Sequence, residues 1–275
     1  MKNLRLCSAV GAAALAAFAV IAGPSVMSGQ DKAGKGKAKG PVAYKMPVKG
    51  EIPRTADGQP DLNGVWMRPY TPDMTKGNAN ASASTLNFTD WGKGKWEKYD
   101  ASAGDYAGAC LPFGLVRSIN APHPMQIVQS KNWVAFLHEQ NTWFTKVPTD
   151  GRPFPPPAEM DPTWFGTSRG RWEGDTLIID TIGIDESAWL ERWAMPHTNR
   201  LHTIERVTRL DLNTLKYELT VDDPGAYTAQ WTSGYTLRWT PNLETFEYVC
   251  QENNYGPQMM VGVEGGETRT SPVVP

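Results

Sequence analysis

From His202 to Val221 the sequence alternates apolar and polar residues on both sides of a short polar turn. Leu215, Tyr217, Leu219 and Val221 alternate with Lys216, Glu218 and Thr220, and residues 211–214 separate this run from residues 202–210. A period of two puts one side of each strand on a core and the other side on solvent. The segment is therefore a β-hairpin with one buried face.

The same signature recurs. Residues 126–130, 133–140 and 142–147 are short strands, with Lys131-Asn132 as the turn between the first two. In 133–140, Val134, Phe136 and His138 share one face, and Trp133, Ala135, Leu137 and Glu139 share the other. Glu173-Gly174-Asp175 is a tight turn, and the β-branched run 176–181 follows it as a strand. Leu177 and Ile179 lie on one face of that strand. Thr176, Ile178 and Asp180 lie on the other, so Asp180 points with Ile178 toward a core or a ligand cavity, where a carboxylate needs a partner. Asn63-Gly64 enters a first strand. Residues 235–240 and 245–252 form a further hairpin through residues 241–244.

Two short helices are expected. One spans 88–99 behind a cap at Thr89 or Asp90, and the other spans 186–193. Residues 71–86 read as a loop and 105–124 as irregular, broken by Pro112, Gly114 and Pro122. A Pro-rich loop over 150–162 has the length of a lid or rim. The pattern fades after Tyr255. No fixed repeat, dinucleotide or phosphate-loop fingerprint or nucleophile elbow is present. The fold class is mainly β, an antiparallel meander closing into a calycin-like barrel or a strongly curved sheet. A β-sandwich is the alternative.

The segment Trp172-Glu173-Gly174-Asp175-Thr176-Leu177-Ile178-Ile179-Asp180-Thr181 resembles the W-E-G-D-T-L-V-V-D-T signature of a widespread group of secreted bacterial proteins, mostly of unassigned function. The resemblance runs from about residue 53 to 253. It includes Arg54-Thr55-Ala56-Asp57-Gly58, Asp61-Leu62-Asn63-Gly64-Val65-Trp66, Cys110-Leu111-Pro112-Phe113-Gly114, Asp150-Gly151-Arg152, Pro196-His197, Glu205-Arg206 and Asp222-Asp223-Pro224. It implies a compartment and an architecture rather than an activity.

Residues 1–28 read as a secretory signal. Lys2 and Arg5 precede an apolar stretch too short to span a membrane, and small residues follow it. Residues 29–52 form a basic, Gly- and Ala-rich linker, and 53–275 a single β-rich domain. A periplasmic or extracellular protein with no integral membrane span in its mature chain is expected. Cys7 falls within the signal, so Cys110 and Cys250 are expected to form one disulfide. From Thr55 onward there are 18 basic and 27 acidic residues, a balance that disfavours nucleic acid as a partner.

The candidate chemistry rests on four histidines, of which His197 and His202 lie near Glu205. On a continuous strand His202 and Glu205 face opposite ways, so the three converge only through a bulge. If they converge they offer acid–base catalysis or ligands for a divalent metal. His138 and Asp180 are further acid–base candidates. Arg117 and Arg206 suit an anionic substrate group or a structural ion pair. Eleven tryptophans and nine tyrosines pack a core or line a pocket, with Trp164, Trp231 and Tyr235 as candidate ligand contacts. The expected function is binding and non-redox conversion of a small aromatic or sugar-like molecule, of hydrolase, lyase or isomerase type, without an obligatory cofactor. The alternatives are a non-catalytic periplasmic binding protein and a metal-dependent enzyme built on His197, His202 and Glu205.

Overall fold

The computed structural model describes residues 50–69, 74, 86–100, 105–191 and 194–250. The signal and most of the linker expected from the sequence lie outside these residues, as do most of 71–86 and everything after 250. Among the described residues nine strands form one sheet: β1 (Gly64–Met67), β2 (Met125–Ser130), β3 (Trp133–His138), β4 (Phe144–Pro148), β5 (Thr167–Glu173), β6 (Thr176–Ile182), β7 (His202–Asp211), β8 (Thr214–Asp222) and β9 (Trp231–Trp239). Their order is β4-β3-β2-β1-β9-β8-β7-β6-β5, and every paired neighbour is antiparallel.

The sheet curls until its two end strands meet, giving a barrel that is nearly closed. With nine strands and antiparallel neighbours throughout, β4 and β5 must run parallel where they meet. A parallel pair needs a different, slanted hydrogen-bond pattern, and no ladder joins these two strands. They touch through side chains instead. A Cβ on Gly170 would lie 2.8 Å from Val147 Cγ1, so only glycine admits this approach of β5 to β4.

Cross-strand register sorts the side chains. The inward rows hold Met125, Ile127, Val134, Phe136 and Val147 on one wall. Leu177, Ile179, Val207, Leu215, Tyr217, Leu219, Tyr235 and Leu237 form the other. The alternation at 134, 136 and 138 and at 215–221 faces inward as expected. Asp180 is a correction: its face is the outer one. Ile178, its outward neighbour, is fully buried all the same, because it stands in register between Arg171 and Arg206, whose stems flank it.

Two helices close the body. Helix α1 (Asp90–Glu97) is capped by Thr89, whose Oγ1 accepts from Gly92 N at 3.1 Å. Helix α2 (Leu115–Asn120) is buried along its whole length. It follows a 3-10 turn, Tyr106–Ala109, in a stretch the sequence presents as irregular. Its six residues make fewer than two turns and are flanked by Pro112, Gly114 and Pro122, so the sequence carries too short a helical period to detect. Residues 186–191 are not helical, against expectation. The hairpin expected at 235–252 is also absent: β9 begins at Trp231 and pairs with β8 and β1, while 241–250 contain no strand. These residues are held instead by contacts with residues around β2 and β3. Phe246 N donates to Glu139 Oε2, Thr142 Oγ1 donates to the Tyr248 carbonyl, and Cys250 is bonded to Cys110. No helix of the described residues is long and apolar enough to cross a membrane.

Candidate functional site

One end of the barrel is where β1 and β3 finish and β2, β4, β5 and β7 begin, and α2 plugs it. Arg68, one residue beyond β1, clamps the plug. Its guanidinium is buried and donates to the carbonyls of Ser118 (2.6 Å) and Ile119 (2.7 Å), and through Nε and Nη2 to that of His123. These are carbonyls at and just past the C-terminal end of α2, where a cation complements the helix dipole. Tyr235 Oη adds a further donation to the Ile119 carbonyl.

Beneath the plug lie Glu205, Tyr217, Tyr235, His138 and Thr145. Glu205 is buried, and Tyr217 Oη donates to its Oε1 at 2.9 Å. Burial drives its pKa up from 4.5 to about 7, against the opposing effect of the tyrosine bond. Glu205 thus exchanges a proton near neutrality. His138 is pushed well below the ordinary histidine range, first by burial and then by the positive charge of Arg68. It is a neutral imidazole at pH 7, with one donor and one acceptor nitrogen. Neither nitrogen has a hydrogen-bond partner among the described residues, and neither does Thr145 Oγ1 or the side-chain amide of Asn120. A buried polar group without a partner costs about 1–3 kcal/mol, so several in one place call for explanation. His138, Thr145 and Glu205 line one small void with Phe136, Ile179 and Ile119. Glu205, Tyr217 and Tyr235 line a second. Each has room for about one water molecule.

His138, Glu205 and Tyr235 are therefore brought together. The other candidates are not. His202 lies on the outer face of β7, where its Nε2 donates to Asp180 Oδ1 at 2.9 Å, and Arg171 Nη1 pairs with the second oxygen of Asp180. β7 carries no bulge between 202 and 205, so His202 and Glu205 stay on opposite sides of the sheet. His197 is buried in the loop before β7. Its Nδ1 donates to the Thr198 carbonyl, its Nε2 has no partner among the described residues, and burial lowers its pKa. The trio expected from the sequence does not converge, and among the described residues no three His, Cys, Asp or Glu side chains are grouped to hold a metal ion.

Arg117 is spent on a two-point ion pair with Asp105 and lies over the rings of Phe113 and Tyr106. Arg206 faces outward toward Glu173 at 3.7 Å. Trp164 packs on Tyr106, and Trp231 stands at the start of β9 against Tyr227. Asp223 ties two loops together, accepting from Thr198 N, Thr198 Oγ1 and Gly225 N. The disulfide joins Cys110 to Cys250 across 140 residues.

Sequence reasoning missed Arg68, Asn120, Thr145 and the role of Tyr217. The inward alternation of β8 could have flagged Tyr217, since a tyrosine hydroxyl in a core needs a partner. The chain matches no protein-family model, and no curated protein or solved structure matches it either.

Proposed function

We propose that this chain is an exported protein that binds a small organic molecule under α2 and converts it by acid–base chemistry, of hydrolase, lyase or isomerase type. Glu205 is the proton acceptor and donor, held at a neutral working range by burial. His138 is the neutral partner that orients or polarises the substrate, and Thr145 is a further contact. One observation carries the reading. A buried carboxyl with a pKa of about 7 shares a void with a buried imidazole and a hydroxyl that have no partner among the described residues. The Cys110–Cys250 bridge and the resemblance to a secreted bacterial group support export from the cytoplasm.

A second reading is a binding protein without turnover. The cramped interior favours it, because voids that each hold about one water molecule leave little room for a co-reactant or for release of products. Turnover of small aryl esters, aryl alcohols and glycosides by the wild type and by Glu205→Gln decides between the two. Acid–base catalysis gives a rate with a pH limb near 7 that disappears in Glu205→Gln while binding survives. Binding with no turnover across pH 5–9 in the wild type establishes the second reading.

A further inference from the structure

The parallel β4–β5 junction is the one place in the barrel wall where two neighbouring strands are not laddered. Its upper end lies directly beside His138 and Thr145. Trp143, just before β4, shares the inward side with Thr145 and pairs with β3: its carbonyl accepts from His138 N at 2.8 Å. Phe165 packs against both rings. Its ring centroid is 5.9 Å from that of Trp143, with planes 30° apart, and 6.3 Å from that of His138, with planes 26° apart. Phe165 thus links Trp143, which is 37% exposed, to the buried imidazole.

Phe165 comes from a tight turn closed by Gly166 N donating to the Thr163 carbonyl. Gly166 has φ +64°, and a Cβ there would lie 2.7 Å from the Ile182 carbonyl, so the backbone of the turn is fixed. The Trp164 carbonyl accepts from Leu115 N, which anchors the same turn to the start of α2. The Phe165 side chain is half-buried and is held by packing, against these rings and the edge of the core, with no polar contact of its own.

We propose that the ligand is a small aryl compound with a polar substituent, and that Phe165 occupies the place its ring takes. The ring enters at the upper end of the β4–β5 junction, displaces Phe165, and packs against Trp143 and His138 in its place. Its substituent then reaches His138, Thr145 and Glu205. This rests on the reading of the chamber as a ligand site. It selects aryl compounds over sugars because both neighbouring rings are aromatic and lie within 30° of the plane of the ring they hold, and ring packing is favourable at these separations.

The test is titration of the full chain with phenol, indole and benzyl alcohol, with cyclohexanol and methyl glucoside as non-aromatic probes. Ring resonances of His138 and the Trp143 indole N–H report occupancy. Phe165→Leu, a variant that keeps an apolar side chain in the turn, removes the competing ring. The expected result is saturable shifts at both rings with the aryl probes only, at least tenfold tighter binding in Phe165→Leu, and weaker binding in Trp143→Ala. Equal binding of cyclohexanol and phenol, or an affinity unchanged within twofold in Phe165→Leu, overturns the inference. Failure here is separable from failure of the acid–base reading. Aryl binding that depends on Trp143 while Glu205→Gln leaves turnover unaltered keeps the ring site and removes the chemistry. Glycoside turnover indifferent to Phe165 and Trp143 does the reverse.

Discussion

Two carboxyl groups one residue apart in register face opposite sides of the sheet. Glu205 on β7 pairs in register with Ile179, and the next residue of β6 is Asp180. Inside the barrel, Glu205 has a tyrosine and, among the described residues, no cation within ion-pair distance. Outside, Asp180 has His202 on one oxygen and Arg171 on the other. The inner carboxyl is raised to about 7. The outer one sits in an ion-pair network that includes Glu173 and Arg206. Similar residue types on one sheet thus give a proton-exchanging interior and a solvated ionic surface. Strand parity decides which is which, because a single residue step moves a side chain through the sheet.

The largest test of that contrast concerns the two arginines. Arg68 is buried and satisfies four bonds to carbonyls around the end of α2. Its replacement by Met strands those acceptors in the core and is expected to cost about 3 kcal/mol or more. The outward Arg171, replaced by Met, is expected to cost less than about 1 kcal/mol. Urea unfolding of both variants at pH 7 measures the difference. Equal losses would mean that α2 is not held by the clamp.

The second test uses pH. In the unfolded chain Glu205 titrates near 4.5, and in the folded chain near 7. Below pH 4.5 both states hold the proton, so the shift contributes fully to stability there. Between 4.5 and 7 the unfolded chain releases the proton while the folded chain keeps it. Stability therefore falls as pH rises through this window, by on the order of 3 kcal/mol in all. Glu205→Gln is expected to lack this fall, so that its stability relative to wild type rises by about that amount between pH 4 and pH 8. His138 and His197 act with the opposite sign. Both have depressed pKa values, so their contribution is present above the unfolded value of 6.5 and is lost as pH falls below it. His138→Gln is expected to flatten the acid limb below pH 6.5, read from thermal melts, and to leave the alkaline side unchanged.

Much of the barrel was legible in the chain. The alternation at 133–138 and at 215–221 placed His138 and Tyr217 on inward faces before any coordinates, and the opposite orientations of His202 and Glu205 followed from the period of two. The site was less legible, for identifiable reasons. Asp180 shares a face with Ile178, and an apolar neighbour suggests a core. Ile178 is buried by the stems of Arg171 and Arg206 on the outside of the sheet, a contact between strands that a single-strand pattern does not encode. Helix α2 carries the plug, yet its six residues lie between Gly114 and Pro122, span fewer than two turns, and bury their polar members Arg117, Ser118 and Asn120 with the rest. Arg68 is a lone arginine after a short strand, and its importance comes from carbonyls some 50 residues away. Phe165 gains its position from a glycine turn and from barrel closure, both tertiary in origin.

The smallest effect tests the outer side of the comparison. Asp180 is about one-fifth exposed, and its partners Arg171 and His202 are more exposed still. Solvent screening limits such a pair, so Asp180→Asn is expected to cost about 0.5–1 kcal/mol at low salt. The cost should shrink toward zero near 1 M NaCl, where the Debye length is about 3 Å. The change in Glu205→Gln should keep its size across the same salt series, because a desolvation effect inside the barrel has no exposed charge to screen. A double variant should show additive changes, since Asp180 and Glu205 share no partner and are separated by the sheet. Coupling above about 0.5 kcal/mol would show that the two faces communicate through β6 and β7. In that case the ionic surface would set the proton affinity of the chamber, and strand parity would separate the two carboxyls in space but not in energy.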